Sequence, residues 1–211
     1  RMFGFEIPIN FNSPYKARSI REFWQRWHIS LSTWLRDYLY IPLGGSRKGE
    51  LRAYANVLVT MLLCGLWHGA SITFMVWGLF HGILMCIERL FLKQSKRTAS
   101  GKGFPMLKTL TTFHLVCLGW VIFRMPTFGG AKAVFSNLFM SGGWELQFRP
   151  EALLVLLLAV IAHFVPDRLD ELAEAAFIRL PAPAQGLALV VTLGFFNLLG
   201  STAHPFIYFQ F

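Results

Sequence analysis

The sequence is short of charge and shorter still of acid. Asp, Glu, Lys and Arg make up 15% of its 211 residues, and 11 acidic side chains stand against 20 basic ones. From Ala53 to Ile87 no residue carries a charge. A soluble domain holds about a quarter charged residues, so this composition excludes an ordinary soluble fold. Long apolar runs with charges clustered between them point to an all-α, polytopic membrane protein. Three cysteines at positions 64, 86 and 117 lie in apolar runs without CxxC spacing. They exclude a disulfide framework or a zinc site and read as small buried hydrophobes. No G-x-S-x-G elbow, Walker loop or G-x-G-x-x-G occurs, so the familiar soluble active sites are absent. The chain opens at Arg1 without a secretory signal and reads as the continuation of a longer protein.

The net charge of +9 does not point to nucleic acid. Lys93, Lys96, Arg97, Lys102 and Lys108 share one connecting segment that contains no acid and follows an apolar run. That distribution fits the positive-inside rule and contact of a cytoplasmic loop with anionic headgroups of the lipid bilayer.

Residues 1–18, with "EIPINFNSPY", read as loop. Ser19-Ile20-Arg21-Glu22 has the spacing of a capping box, which opens a helix expected to run to about Tyr40, where Pro42, Gly44 and Gly45 stop it. On it Arg21, Gln25, His28, Ser32 and Arg36 form one polar stripe beside an apolar face of Trp24, Trp27, Leu31, Trp34, Leu35 and Tyr38. The charge-free run should hold two helices, 53–67 and 70–92, broken near Gly65-Leu66-Trp67-His68-Gly69. The first is about 23 Å long at about 1.5 Å per residue, short of a crossing of about 30 Å. Its break falls at membrane depth, where irregular backbone survives only inside protein or beside a wet cavity. Further spans are expected at 105–124, 151–165 and 186–200, with the 125–149 connection outside. The 166–185 segment reads as a surface helix followed by a Pro-rich turn. The whole, 1–211, reads as one membrane domain: a loop and amphipathic His28 helix over 1–52, a His68 hairpin over 53–92, and further transmembrane helices over 93–211.

Six histidines stand at positions 28, 68, 81, 114, 163 and 204, and no pair has the spacing of a helical metal site. What the residues offer instead is imidazole as acid or base. A neutral histidine takes a proton from a hydroxyl that attacks an acyl group. His68, inside the run hostile to charge, is the leading candidate, because ionisable groups at membrane depth mark function. His28 lies on the polar stripe. His81, His114 and His163 read as packing or hydrogen-bonding residues, and His204 as interfacial.

"EFWQRWHISLSTWLRDYLYIPLGGSRKG" followed by "LLCGLWHGASITFMVWGLFHG" resembles the membrane-bound O-acyltransferase family, and within it the bacterial branch that acetylates exopolysaccharides. "LGWVIFRMPTF" at 118–128 and "PFIYFQF" at 205–211 extend the likeness to the end of the chain. The resemblance implies an acyltransferase helical bundle with a broken helix and re-entrant or interfacial helices, of which this chain is the C-terminal half. It implies that His68 and His28 are the catalytic pair, with His68 as general base on the acceptor hydroxyl. His28 then orients the acyl carbonyl or relays the proton. Trp67, Gly69, Trp27, Ser32 and Asp37 match motif positions at the substrate; for Asp37, pairing with Arg36 or Arg47 is the plainer reading. No cofactor or metal is implied as bound. Acetyl-CoA, or another acyl thioester, is the expected cytoplasmic donor. The acceptor is a polysaccharide such as alginate, reached directly or through periplasmic acetyltransferase partners, at the bacterial inner membrane. D-alanyl transfer to teichoic acid is the alternative within the family, and a transporter or proton channel using the histidines as relays is the alternative outside it.

Overall fold

A computed structural model describes residues 7–98, 104–140 and 150–199. The chain forms two compact units, Arg1–Glu145 and Leu146–Phe211, and regular structure among the described residues is helical. In the first unit a 3-10 turn, Pro14–Lys16, leads into α1, Ile20–Arg26, α2, Ile29–Leu35, and a π-helical stretch, Arg36–Tyr40. Then follow α3, Glu50–His68, α4, Ile72–Thr98, α5, Pro105–Arg124, and α6, Phe128–Met140.

The N-terminus of α1 forms as its capping signal requires. Ser19 Oγ accepts from the Glu22 backbone N–H at 3.1 Å, and Glu22 reaches back to the Arg18 N–H at 2.8 Å. The helix does not run on to Tyr40 as its apolar periodicity predicts. It stops after Arg26, and His28 takes φ 46°, ψ 54° before α2 begins. The cause is the preceding loop. Asn12 N–H donates to Arg26 O at 2.8 Å, Ile29 N–H to Asn10 O at 3.0 Å, and Ser30 N–H to Asn10 Oδ1 at 2.9 Å. The loop thus satisfies the end of one helix and the start of the next, which offsets a left-handed non-glycine conformation costing roughly 1–2 kcal/mol.

The hairpin of α3 and α4 breaks within the expected 65–69 stretch, and both helices are longer than expected, Glu50–His68 and Ile72–Thr98. Helix α3 begins at Glu50 and continues through Gly65 to His68, so it is about 28 Å long at about 1.5 Å per residue and is not interrupted near Gly65. The break lies after His68, where Gly69 takes φ 151°. Gly65 serves a different purpose: a Cβ there would strike the Phe74 carbonyl, as one at Gly78 would strike that of Met61. Small residues at facing positions let two helix backbones approach closely. The charged end of the hairpin is closed by Arg89 Nε donating to Glu50 Oε2 at 3.1 Å, and buried Asn56 donates to Gly45 O at 2.9 Å, tying the 41–49 turns to α3.

Helix α4 extends to Thr98, so the backbone at Lys93, Lys96 and Arg97 is helical rather than part of a loop. Among the described residues, two helices are long and apolar enough to cross a membrane, Ile72–Phe91 within α4 and Pro105–Arg124. The connection after α5 contains α6, unforeseen from the sequence, whose start is marked by Thr127 Oγ1 accepting from Gly130 N–H at 3.2 Å. The core of this unit is aromatic. Phe23, Trp24, Trp77, Val116 and Ile122 bring α1, α4 and α5 together, with Met61 and Cys64 joining from α3.

The second unit comprises α7, Pro150–Phe164, α8, Asp167–Arg179, and α9, Ala182–Leu199. The expected surface helix is present as α8, but the proline-containing segment after it does not form a turn through residue 185. Pro183 sits in the first turn of α9, where a missing N–H costs no helical bond. Gln185 caps α8 from there, its amide donating to Leu180 O at 3.0 Å and Phe177 O at 3.1 Å. The shorter apolar stretches Leu153–Phe164 and Ala182–Phe195 lie in α7 and α9. His204 and the 205–211 segment lie outside the described residues.

Candidate active site

His68 ends α3, and the chain can turn away directly after it because Gly69 adopts a backbone conformation that side chains rarely tolerate. The imidazole is 8% exposed. Aromatic rings surround it: Trp67 at 4.9 Å, Phe123 at 5.0 Å and Trp77 at 5.2 Å, all edge-to-face, and Phe74 at 6.1 Å. Such arrangements place ring edges against ring faces.

His28 comes to the same place from the break between α1 and α2. Its ring lies 5.8 Å from that of Trp67 at an interplanar angle of 80°, with Phe11 at 6.1 Å and Asn10 Nδ2 at 3.5 Å from Nδ1. Burial holds the His28 imidazole below its ordinary range, favouring the neutral form. The two histidines are within electrostatic reach of each other, and Trp67, 54% exposed, is the ring they share.

The remaining sequence candidates divide. Trp27 belongs to an aromatic stack with Phe23 at 5.8 Å, Trp120 at 5.0 Å and Phe11 at 4.8 Å. Ser32 Oγ donates to Trp27 O at 3.2 Å and so steadies the break that presents His28. Asp37 accepts two hydrogen bonds from Arg36, at 2.7 and 3.1 Å. That pairing, with the hydrogen bond as its chief cause, holds the exposed carboxylate below the usual range, and it bears out the plainer reading of this residue.

The five-residue polar stripe is not one surface. Arg21, Gln25, Ser32 and Arg36 line a cavity of about 390 Å³ together with Trp24, Thr60, Met61, Met85 and Arg89. His28 is not in that lining: the left-handed residue itself points elsewhere, while Ser32 and Arg36 beyond it return to the side of Arg21 and Gln25. His68 is outside it too. Three arginines line the cavity. Arg36 and Arg89 are paired with Asp37 and Glu50, and the Arg21 backbone N–H donates to Glu88 Oε2 at 3.1 Å.

Sequence reasoning missed Phe74, Trp77 and Phe123 as neighbours of His68. Phe74 and Trp77 stand three apart on α4, a spacing that puts them on one helix face, but nothing local in "WVIFR" links Phe123 to His68. His114 is accounted for within its own helix, Nδ1 lying 2.7 Å from Leu110 O.

The profile described as the membrane-bound O-acyltransferase family matches residues 1–124, which include both histidines. The chain is 51% identical over 146 residues to the "Probable alginate O-acetylase AlgI" of Pseudomonas fluorescens, covering 69% of this chain and 29% of that protein. It is 38% identical to the protein of the same name from Azotobacter vinelandii over 248 aligned residues, covering all of this chain and 49% of the relative. A peptidoglycan O-acetyltransferase of Helicobacter pylori is 44% identical over 147 residues, covering 68% of this chain and 27% of that protein. This chain therefore spans at most about half the length of these relatives. With a profile match across more than half its length, the chain belongs to the membrane-bound O-acyltransferase family.

Proposed function

We propose that this chain carries the acyl-transfer site of an inner-membrane, multi-pass O-acetyltransferase. It takes an acetyl group from a cytoplasmic thioester, acetyl-CoA, and passes it to a hydroxyl outside, on an exopolysaccharide such as alginate or on a periplasmic acetyltransferase partner that completes the modification. The observation that carries the reading is the meeting of His28 and His68 on Trp67.

The chemistry requires little beyond what these residues offer. The acceptor oxygen adds to the thioester carbonyl as His68 removes its proton. The C–S bond then breaks and the proton returns to the leaving sulfur. General-base catalysis of this kind supplies about 10²–10⁴-fold. His28, neutral at physiological pH, donates a hydrogen bond to the carbonyl oxygen as it becomes negative, or passes the proton on. Transfer through the protein lets a small acyl group cross while the charged donor stays in water, avoiding the cost of moving its phosphates through hydrocarbon. The arginine-lined cavity suits the donor's phosphates. Access to His68 then runs past Trp67, whose exposure far exceeds that of His68 itself.

Replacing His68 by Ala is expected to abolish acetylation of the secreted polymer, read by mass spectrometry, with the protein still inserted at its normal level. Full acetylation in that variant overturns the assignment. Mass spectrometry also separates acetyl from D-alanyl transfer, since D-alanine on the polymer would place the chain with the other activity of the family.

A further inference from the structure

Trp24 from α1 and Trp77 and His81 from α4 meet in the centre of the first unit. Their ring centroids lie 5.7 Å (Trp24–Trp77), 5.4 Å (Trp24–His81) and 5.1 Å (Trp77–His81) apart. All three side chains are buried, His81 at 0% exposure. Yet Trp24 Nε1, Trp77 Nε1 and both ring nitrogens of His81 have no hydrogen-bond partner in the protein.

Four such atoms in one cluster do not describe an apolar core, because each buried donor or acceptor left unmade costs about 1–3 kcal/mol. Shape alone does not explain the imidazole. Phe23 stacks on it at 6.2 Å and Phe80 meets it edge-on at 5.5 Å. On the α5 side, Gly119 comes so close that a Cβ would lie 2.8 Å from Nε2. An apolar ring would fill this cage without the polar cost. A neutral imidazole brings one donor and one acceptor, and each indole brings one donor. The set matches an internal water, which takes two to four polar partners. The third member, Trp77, sets its ring edge-to-face against His68 at 5.2 Å and 87°.

We propose that Trp24, Trp77 and His81 together bind internal water, and that this hydrated cluster fixes the indole of Trp77 against His68, which makes His81 a positioning residue for acyl transfer. The inference rests on His68 as the general base. The rings packed around His81 among the described residues are Phe23, Trp24, Trp77 and Phe80, so its partners in this role are the two indoles and the water they hold.

The test compares His81→Phe, which keeps a ring and loses its polar atoms, with His81→Gln, which keeps one donor and one acceptor, beside His68→Ala. Each full-length protein is assayed in membrane vesicles for transfer from labelled acetyl-CoA and, in detergent, for its thermal unfolding midpoint. His81→Phe is expected to unfold at or above the parent midpoint while its transfer rate drops about tenfold, the equivalent of one lost hydrogen bond. His81→Gln is expected to stay within about threefold of the parent, as a rescued hydrogen bond requires. Parent-level transfer in His81→Phe overturns the inference, as does a rate in His81→Gln no better than in His81→Phe, or a lowered midpoint in His81→Phe. Transfer by His68→Ala at the parent rate overturns the general-base reading instead. An inactive His68→Ala beside a fully active His81→Phe removes only the hydrated cluster.

Discussion

His28 and His68 set their rings edge-to-face against the same indole, that of Trp67, at 5.8 Å and 4.9 Å. One side chain therefore spaces a pair of imidazoles that the sequence separates by the whole of α2, the π-helical stretch and α3. The arrangement gives the tryptophan a mechanical role, independent of any contact it makes with substrate.

Trp67→Leu removes that spacer at a half-exposed position where little core is lost. Transfer is expected to drop about tenfold or more, since small displacements of catalytic groups are that costly, with the unfolding midpoint nearly unchanged. Trp67→Phe, which keeps a ring, should retain more activity than Trp67→Leu. Equal rates in the two variants, measured in membranes at matched protein level, count against the spacer role.

His28 combines a left-handed backbone with a partly buried ring. His28→Asn tolerates the backbone and should fold normally, while β-branched Val at the same position should be less stable by roughly 1–2 kcal/mol. Both should be deficient in transfer. A Val variant as stable as Asn in thermal unfolding would show that the loop of Asn10 and Asn12 does not enforce the turn.

Acid should weaken the protein through the same residue. Burial lowers the pKa of folded His28 from its ordinary 6.5. An unfolded chain then binds more protons at that position, and stability is lost as pH falls from 6.5 toward the folded value. The unfolding midpoint of the parent should decline between about pH 7 and about pH 5, the range in which histidine titrates, and that of His28→Asn should decline less. Identical profiles would remove His28 from the account.

The facing glycines of the hairpin predict a sharp contrast. Gly78→Ala drives a methyl into the Met61 carbonyl and should cost about 1–3 kcal/mol as an overpacked contact. Gly186→Ala, in α9 with nothing within 4 Å of the new carbon, should gain up to about 1 kcal/mol of helix propensity. Thermal unfolding of the two variants in detergent gives the order directly.

Arg21 lines the cavity with its guanidinium outside the Arg36–Asp37 and Arg89–Glu50 pairs. On the proposed function, Arg21→Ala should raise KM for acetyl-CoA by about tenfold or more, as loss of a charge-assisted contact worth about 1.5–3 kcal/mol implies, and leave kcat nearly unchanged. A fall in kcat at constant KM would mean that this arginine acts on the chemistry and not on donor binding.

Much of the fold was legible because its causes are local. The capping box at Ser19 and Glu22, the helical register of α5 and α7, and the isolation of His68 in a charge-free run all follow from neighbours in the chain. The break at His28 was not legible, because the periodicity of Arg21, Gln25, His28, Ser32 and Arg36 is continuous and the hydrogen bonds that interrupt it come from Asn10 and Asn12. The end of α3 at His68 was legible to within a residue, whereas the close approach of Gly65 to Phe74 and Gly78 was not, since it depends on the facing helix.

By itself, then, the sequence determined a helical membrane protein, the family, and the two candidate histidines, since residue type and short-range spacing carry that information. Tertiary structure alone decided that those histidines share Trp67, that the polar stripe splits between a basic cavity and the His28 turn, and that His81 sits among indoles with unmet hydrogen bonds. Each of these depends on contacts between residues distant in the chain, and such contacts are fixed by packing and by where backbone hydrogen bonds find their partners.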